Sequence, residues 1–318
     1  LKIGIIGFGR FGQFIGKKMS AYGFNVMCTS RTDYTEIANK YNIRYLEKED
    51  FQNEDMDIVI LSTSIHSFCK VFDSYPLSFW KNKLVCDVLS VKQYPFEYLQ
   101  EKIGENILCT HPMFGPDSAK NSWMGKQFVY YPYHIHESIQ SAYETFITFW
   151  KDMGCQLIRM DPQIHDIETA NSQFITHFIG RSLENFKKND GNISTDGFNA
   201  LMKIKEHSIH DSWDLFTALA QYNPNSKKNI QTLLFKIHTI YNKLFSIKNE
   251  ESSTSKIFNK IIDLQKNGKR NIINCGAGVP SWKPPIDTPC EYSTSKGNSV
   301  LIAKIIDYYR KNTIFDCE

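Results

Sequence analysis

Lys2-Ile3-Gly4-Ile5-Ile6-Gly7-Phe8-Gly9-Arg10-Phe11-Gly12 runs a short apolar strand straight into a glycine turn and the start of a helix. The three turn glycines answer separate demands. Gly7 permits the tight turn, Gly9 lets backbone approach a pyrophosphate, and Gly12 lets helix and strand pack closely. Unpaired N–H groups and the dipole at the helix start favour an anion there. The G-x-G-x-x-G spacing alone is a weak signal. Preceded by a strand and followed by a helix, it marks a dinucleotide site, the alternative being a glycine turn without ligand. The candidate cofactor set is Gly7, Phe8, Gly9, Arg10, Phe11 and Gly12, joined by Ser62 and Thr63 at the end of a later strand.

The first helix extends to about Tyr22, and Phe24–Thr29 reads as a second strand. Residues 33–41 look helical, and strands follow at 58–62, 84–89 and 106–109, with 127–131 and 155–159 as possible edge strands. Strands alternating with helices predict a Rossmann-type, doubly wound parallel sheet with right-handed crossovers. After about Asp161 apolar residues recur three and four apart, over 166–187, 196–222 and 228–248. The expected class is therefore α/β with a C-terminal all-helical domain: a nucleotide domain over 1–160, a helical domain over 161–250, and a tail over 251–318 packing on the helices. In that tail, 249–256 reads as a loop, 257–266 and 297–311 as helices, and 276–289 as Gly/Pro-rich.

The tip of the second strand bears on cofactor choice. An NAD site usually places Asp or Glu there for the ribose 2′-hydroxyl. This strand ends Cys28-Thr29-Ser30-Arg31, with no acid at the tip. A hydroxyl and a guanidinium suit a 2′-phosphate, so Ser30 and Arg31 predict NADP. The competing reading makes Arg31 a solvated surface charge, and Asp33 stands close enough to complicate the choice.

Bulk properties fit this picture. Apolar residues make up 42% and charged residues 22% of 318, a globular composition large enough for two domains. A net charge of +3 with interspersed signs gives no nucleic-acid footprint. Eight scattered cysteines with no C-x-x-C pair suggest free thiols in a reducing compartment, cytoplasmic or plastid, and no metal site. No apolar run reaches the roughly 18 residues of a membrane span, and no signal peptide is evident.

Three segments carry polar residues where chemistry belongs. Asp87-Val88-Leu89-Ser90-Val91-Lys92 and Thr110-His111-Pro112-Met113-Phe114-Gly115-Pro116 follow strands, and ligands of open α/β sheets bind beyond strand carboxyl ends. The third segment, Asn171–Arg181, lies in the first helix of the second domain, where His177 and Arg181 are placed to close the cleft. Each has a plain reading as well. His111 suits a turn histidine and Ser90 a turn cap, His177 suits a hydrogen-bonded core position, and Arg181 suits a pair with Glu184.

Together these motifs resemble the prephenate/arogenate dehydrogenase family, with the likeness running over residues 2–245 and strongest toward its plant arogenate members. The segments that carry it are Gly7–Phe14, Ser30-Arg31-x-Asp33-Tyr34, Asp87–Lys92, Thr110–Pro116, His165-Asp166 and Ser172–Arg181. The resemblance implies oxidation of a cyclohexadienyl ring with loss of CO2, yielding tyrosine from arogenate or 4-hydroxyphenylpyruvate from prephenate. It implies His111 as the base on the ring hydroxyl and Ser90 as its hydrogen-bonding neighbour, with Gln173 and His177 facing substrate. Asp211 falls where an acid accompanies arogenate use, and a carboxylate suits that substrate's ammonium; the plain alternative is a cap for the helix from Ser212. Where bacterial members place an arginine for the side-chain carboxylate, this chain offers Lys203 or Lys205, leaving Arg181 as another candidate. The implied partners are a small-molecule substrate and, from the long apolar helices, a second copy in a homodimer, the alternative being that those helices form a monomer's core; neither nucleic acid nor membrane is expected. A β-hydroxyacid-type dehydrogenase would need a lysine base on the interdomain helix, which has none before Lys187. A non-enzymatic NADP sensor would have no need of Ser90 and His111 together. Within the tail, Ile273–Pro280 faintly resembles an aminotransferase opening, too short for such a domain.

Overall fold

The computed structural model describes residues 1–186 and 193–245. The expected loop at 249–256, the helices at 257–266 and 297–311, the Gly/Pro segment at 276–289 and the packing of the tail lie outside the described residues. Eight strands form one sheet: β1 (Lys2–Ile6), β2 (Asn25–Thr29), β3 (Arg44–Tyr45), β4 (Ile58–Leu61), β5 (Leu84–Asp87), β6 (Ile107–Pro112), β7 (Gln127–Tyr133) and β8 (Gln156–Arg159). Their order is β3-β2-β1-β4-β5-β6-β7-β8. Between them run α1 (Arg10–Ala21), α2 (Thr35–Lys40), α3 (Lys48–Phe51), α4 (Ile65–Asp73), α5 (Leu77–Trp80), α6 (Gln93–Lys102) and α7 (Glu137–Asp152).

The first six strands are parallel, as the alternation predicts. β4 reads Ile-Val-Ile-Leu and is buried throughout, as a strand covered by helices on both faces must be. Ile3 and Ile5 of β1 enter one core with Ile15, Met19 and Trp150, while Ile6 enters the opposite core with Val59 and Leu61. The edge strands differ from the expected parallel plan. β7 pairs antiparallel with β6, and β8 pairs parallel with β7. A parallel return needs a crossover, usually helical. Residues 113–126 contain no helix, so the chain doubles back instead. β6 also runs three residues past the expected strand, to Pro112, so His111 lies within the sheet, opposite Val129.

The strand order reverses between β1 and β4. The loops after those strands, at Gly7 and Ser62, therefore open the crevice where doubly wound sheets bind ligands.

Among the described residues five helices follow: α8 (Pro162–Asn171), α9 (Gln173–Ser182), α10 (Asp196–His210), α11 (Trp213–Gln221) and α12 (Ser226–Leu244). Two long predicted helices are each broken. At Ser172 the backbone departs to ψ −75°, and the side chain turns back to bond the Glu168 carbonyl at 2.8 Å. At Ser212 the hydroxyl accepts from Leu215 N at 3.1 Å and starts α11 anew. α9 and α10 pack closely because residue 180 is glycine: a Cβ there would lie 2.2 Å from Ser208 Oγ. Leu1–Leu234 forms one compact unit and Phe235–Glu318 a second. Among the described residues no helix is long and apolar enough to cross a membrane.

Candidate active site

The glycine loop has the geometry its sequence requires. Gly7 has φ +95°, and a Cβ there would lie 2.4 Å from the Ser62 carbonyl oxygen. A Cβ on Gly12 would meet the Gly7 carbonyl oxygen at 2.3 Å. Gly9 differs: a Cβ there would meet nothing within 4 Å. Its φ of −72° suits any residue, so local packing does not ask for glycine, whereas an approaching ligand would. No side chain caps α1 and no acid stands in its first turn, which leaves its N–H groups for an anion. Nearby in sequence to that crevice, Thr63 Oγ1 is buried with no hydrogen-bond partner. An open cradle beside an unsatisfied hydroxyl fits a dinucleotide pyrophosphate.

Of the other candidate cofactor residues, Phe8 is fully buried in the core, which leaves only its backbone for a ligand. Phe11 packs on Phe14. Arg10 holds Asp117 through two contacts of 2.9 and 3.0 Å, joining the glycine loop to the loop after β6. At the tip of β2, Arg31 is exposed and Ser30 half-buried. Asp33 is engaged locally: its Oδ1 accepts from Thr35 N at 2.8 Å and from the Thr35 hydroxyl at 2.6 Å. Those bonds hold its carboxyl below the usual range.

Across the sheet, His111 is only 3% exposed. Its Nδ1 lies 2.9 Å from His165 Nε2, and His165 Nδ1 lies 2.8 Å from Asp166 Oδ1. The first turn of α8 sets these two residues. Asp161 caps it, accepting from Gln163 N and Ile164 N, and Pro162 occupies its first position. Asp166 also accepts from the backbone N–H groups of Lys92 (2.8 Å) and Gln93 (3.0 Å). Lys92 Nζ is buried against Asp87 Oδ1 and donates to the Thr110 carbonyl at 2.6 Å. Burial pushes Asp87 upward, against the pull of the Lys92 ammonium. His111 sits well below the ordinary imidazole range because burial penalises its charged form, and the His165, Lys92 and His177 charges add to this. Burial also lowers His165, opposed by its bond to Asp166. Both rings are thus neutral near pH 7.

Ser90 is half-buried in the loop after β5, two residues before Lys92. No hydrogen bond joins its hydroxyl to His111. Gln173, His177 and Arg181 stand four apart along α9, and each leaves a buried atom without a hydrogen-bond partner among the described residues: Gln173 Oε1, His177 Nδ1 and Arg181 Nε. His177 Nδ1 lies 3.2 Å from Asp211 Oδ2 without hydrogen-bond alignment. Burial lowers His177 and raises Asp211, and each charge opposes the other's shift. Asp211 does not cap α11, which Ser212 does. Arg181 does not pair with Glu184: its Nη2 bonds the Asp211 carbonyl, and its guanidinium lies 5.1 Å over Trp213 and 5.4 Å over Phe216. Lys203 is exposed on α10 and takes part in none of these contacts, and Lys205 donates to the Phe186 carbonyl at 2.6 Å.

The structure therefore joins His111 to His165 and Asp166, and His177 to Asp211 and Arg181. His165 and Asp166 belong to a motif quoted from the sequence, yet their role was not legible there. The one signal was the Asp161-Pro162 start, which sets the beginning of the helix that carries both.

Fold and site together define a dehydrogenase with a nucleotide-binding sheet followed by helices. Residues 15–159 match the prephenate dehydrogenase nucleotide-binding domain, and residues 182–256 match the TYRAAT1-like C-terminal domain. Arogenate dehydrogenase 2, chloroplastic, of Arabidopsis thaliana is 35% identical over 288 residues, spanning 88% of this chain and 80% of that protein. Arogenate dehydrogenase 1, chloroplastic, of the same plant is 39% identical over 251 residues, 77% of this chain and 39% of the relative. Among solved structures, Synechocystis arogenate dehydrogenase superposes with a TM-score of 0.54 at 19% identity, covering 85% of this chain and 99% of that one. Prephenate dehydrogenase from A. aeolicus, solved with hydroxyphenyl propionate and NAD+, gives 0.59 at 16% identity, covering 84% and 97%. The chain belongs to the prephenate/arogenate dehydrogenase family and is an oxidoreductase of that kind.

Proposed function

We propose that this protein is an NADP-dependent arogenate dehydrogenase converting arogenate to tyrosine, with functional divisions at 1–160, 161–250 and 251–318. The observation that carries the reading is His111, buried and neutral, with Nδ1 engaged and, among the described residues, no partner at Nε2. A nicotinamide bound at the glycine loop supplies a hydride acceptor. His111 Nε2 takes the proton of the ring hydroxyl as that oxygen becomes a carbonyl. Loss of the ring carboxylate as CO2 then makes the ring aromatic and leaves a phenolate. His111 returns the borrowed proton to it, so the reaction releases none. Ser90 would hold the hydroxyl toward the ring nitrogen.

The remaining polar atoms sort by charge. Asp211 is one-third exposed beside His177 and would take the substrate ammonium. Arg181 has a buried Nε to spare and suits the α-carboxylate better than exposed Lys203. The relatives named for arogenate favour that substrate. For the cofactor, Asp33 is withdrawn onto Thr35 and Arg31 is exposed, which favours a 2′-phosphate.

Incubation with each pairing of NADP or NAD with arogenate or prephenate, followed by absorbance of the reduced nicotinamide, tests all of this. Arogenate with NADP should turn over fastest. Silence in all four mixtures sinks the reading, and preference for prephenate sinks the Asp211 assignment. A homodimer is part of the proposal, because α12 exposes Ile237, Ile240, Tyr241 and Leu244 at helical spacing. Sedimentation at the monomer mass refutes it. The chloroplastic relatives favour a plastid over the cytoplasm, which imaging of the tagged protein decides.

A further inference from the structure

We propose that His165 and Asp166 are positioning residues that hold His111 in the tautomer with its proton on Nδ1, leaving Nε2 bare to act as the base. This rests on the assignment of His111 as that base.

The argument runs outward from Asp166. An ionised carboxylate only accepts. Its Oδ1 already accepts from Lys92 N and its Oδ2 from Gln93 N, so neither oxygen is placed to carry a proton. His165 Nδ1, 2.8 Å from Oδ1, must therefore bear the hydrogen. In a neutral ring the other nitrogen then has only a lone pair. That nitrogen, His165 Nε2, lies 2.9 Å from His111 Nδ1. Two ring nitrogens this close need one proton between them, and His165 has none to give. His111 Nδ1 supplies it, so His111 Nε2 is left as an acceptor. The reverse order would set the bare Nδ1 of His165 against a carboxylate in a buried site, with nothing to relieve the repulsion.

The surroundings hold this arrangement still. Asn223 Nδ2 donates to the Asp166 carbonyl at 2.7 Å, and the Thr169 hydroxyl bonds the His165 carbonyl at 2.9 Å. The charged groups bearing on the two rings are Asp87 at the end of β5, Lys92 just before α6, His177 from α9 and Asp166 from α8 itself. The buried Lys92 ammonium opposes protonation of either ring. If His165 gained a proton, its Nε2–H would face His111 Nδ1 and drive that ring's proton onto Nε2, so the base would be blocked. During turnover His111 gains one proton at Nε2 from the hydroxyl and later gives it back. Its Nδ1–H stays on His111, hydrogen-bonded to His165 Nε2, and the charge is shared toward Asp166.

The test uses the full chain with 15N-labelled histidine. Two-bond nitrogen–proton correlations show which ring nitrogen is protonated, and loss of a signal in His111→Asn assigns the residue. His111 should show Nδ1–H without any substrate present. In His165→Phe the acceptor is gone: His111 should become a tautomer mixture and kcat should fall about 10–100-fold, less than the 10²–10⁴ expected when the whole base is lost. Dinucleotide affinity should stay within about twofold. His165→Gln places an amide oxygen near the old Nε2 and should restore Nδ1–H and most of the rate. A purely structural role for His165 predicts no such rescue in the tautomer signal. Nε2–H on His111 in the unmodified protein overturns the proposal outright, even if the phenylalanine variant fails to fold. So does His165→Phe with Nδ1–H and full rate. Because the spectrum needs no substrate, Nδ1–H in a protein inert toward arogenate and prephenate would count against the proposed reaction alone.

Discussion

Asp211 shows how much one residue's surroundings decide. From sequence it was either an ammonium reader or a helix cap, and both readings predict an acid at the start of a helix. In the structure the cap belongs to Ser212, and the Asp211 carboxylate lies 3.2 Å from His177 Nδ1. Asp211→Asn keeps the shape and loses the charge. A hydrogen bond to a charged group is worth about 1.5–3 kcal/mol, so kcat/KM for arogenate should fall roughly 10–100-fold. Prephenate has no ammonium, so its value should move far less. A steady-state comparison of the two substrates reads this directly, and equal losses for both would make Asp211 a structural residue. Ser90, His111, His177 and Arg181 were all legible as polar residues at strand ends or on one helix face. His165 was not, because spacing along a chain does not show which ring another ring will touch 54 residues away.

At the scale of elements, the glycine loop was legible because its requirements are local. Each glycine answers a different one, and the structure allows them to be tested apart. A methyl on Gly12 meets backbone at 2.3 Å, and helix or strand must shift to admit it. Overpacking of this kind costs about 1–3 kcal/mol, so Gly12→Ala should lower the melting temperature by several degrees. A methyl on Gly9 meets nothing. Gly9→Ala should melt within a degree or so of the parent, since substitutions away from packed features stay within about ±0.5 kcal/mol. It should nevertheless lose dinucleotide affinity by at least tenfold on titration, because the methyl enters the space left for the pyrophosphate. If Gly9→Ala binds as the parent does, the cradle lies elsewhere. Helix breaks were less legible. Ser172 and Ser212 interrupt patterns whose apolar period runs on unbroken, and a serine declares itself as a cap only when its hydroxyl finds a backbone partner. Strand direction at β7 and β8 was hidden for a similar reason: alternation marks a strand, and the connection decides which way it runs.

The whole molecule carries the energetic cost of its site. His111, His165 and His177 are all held below the ordinary imidazole range, with burial the first cause in each. In the unfolded chain these rings titrate near 6.5. Above that value both states are neutral, and nothing is lost by burying them. Below it the unfolded chain binds protons that the folded one refuses, so stability falls as pH drops. The full contribution is therefore present above about pH 6.5 and declines beneath it, by up to about 1.36 kcal/mol per pH unit for each ring. Asp87 and Asp211 work in the opposite direction, since burial raises their carboxyls. A single melting curve mixes all five groups. Comparison with His111→Asn reads that ring together with its coupling to His165, 2.9 Å away, because the other groups remain in both proteins. The unfolding free energies of the two proteins should run parallel from about pH 8 to 6.5. Below that the parent should lose stability faster than the variant, with the gap widening by as much as one proton's worth per pH unit. Denaturant titrations at half-unit pH intervals measure that gap. Curves that stay parallel down to about pH 5 would mean that His111 is charged as readily in the fold as in water, and a ring so easily protonated would not serve as the neutral base.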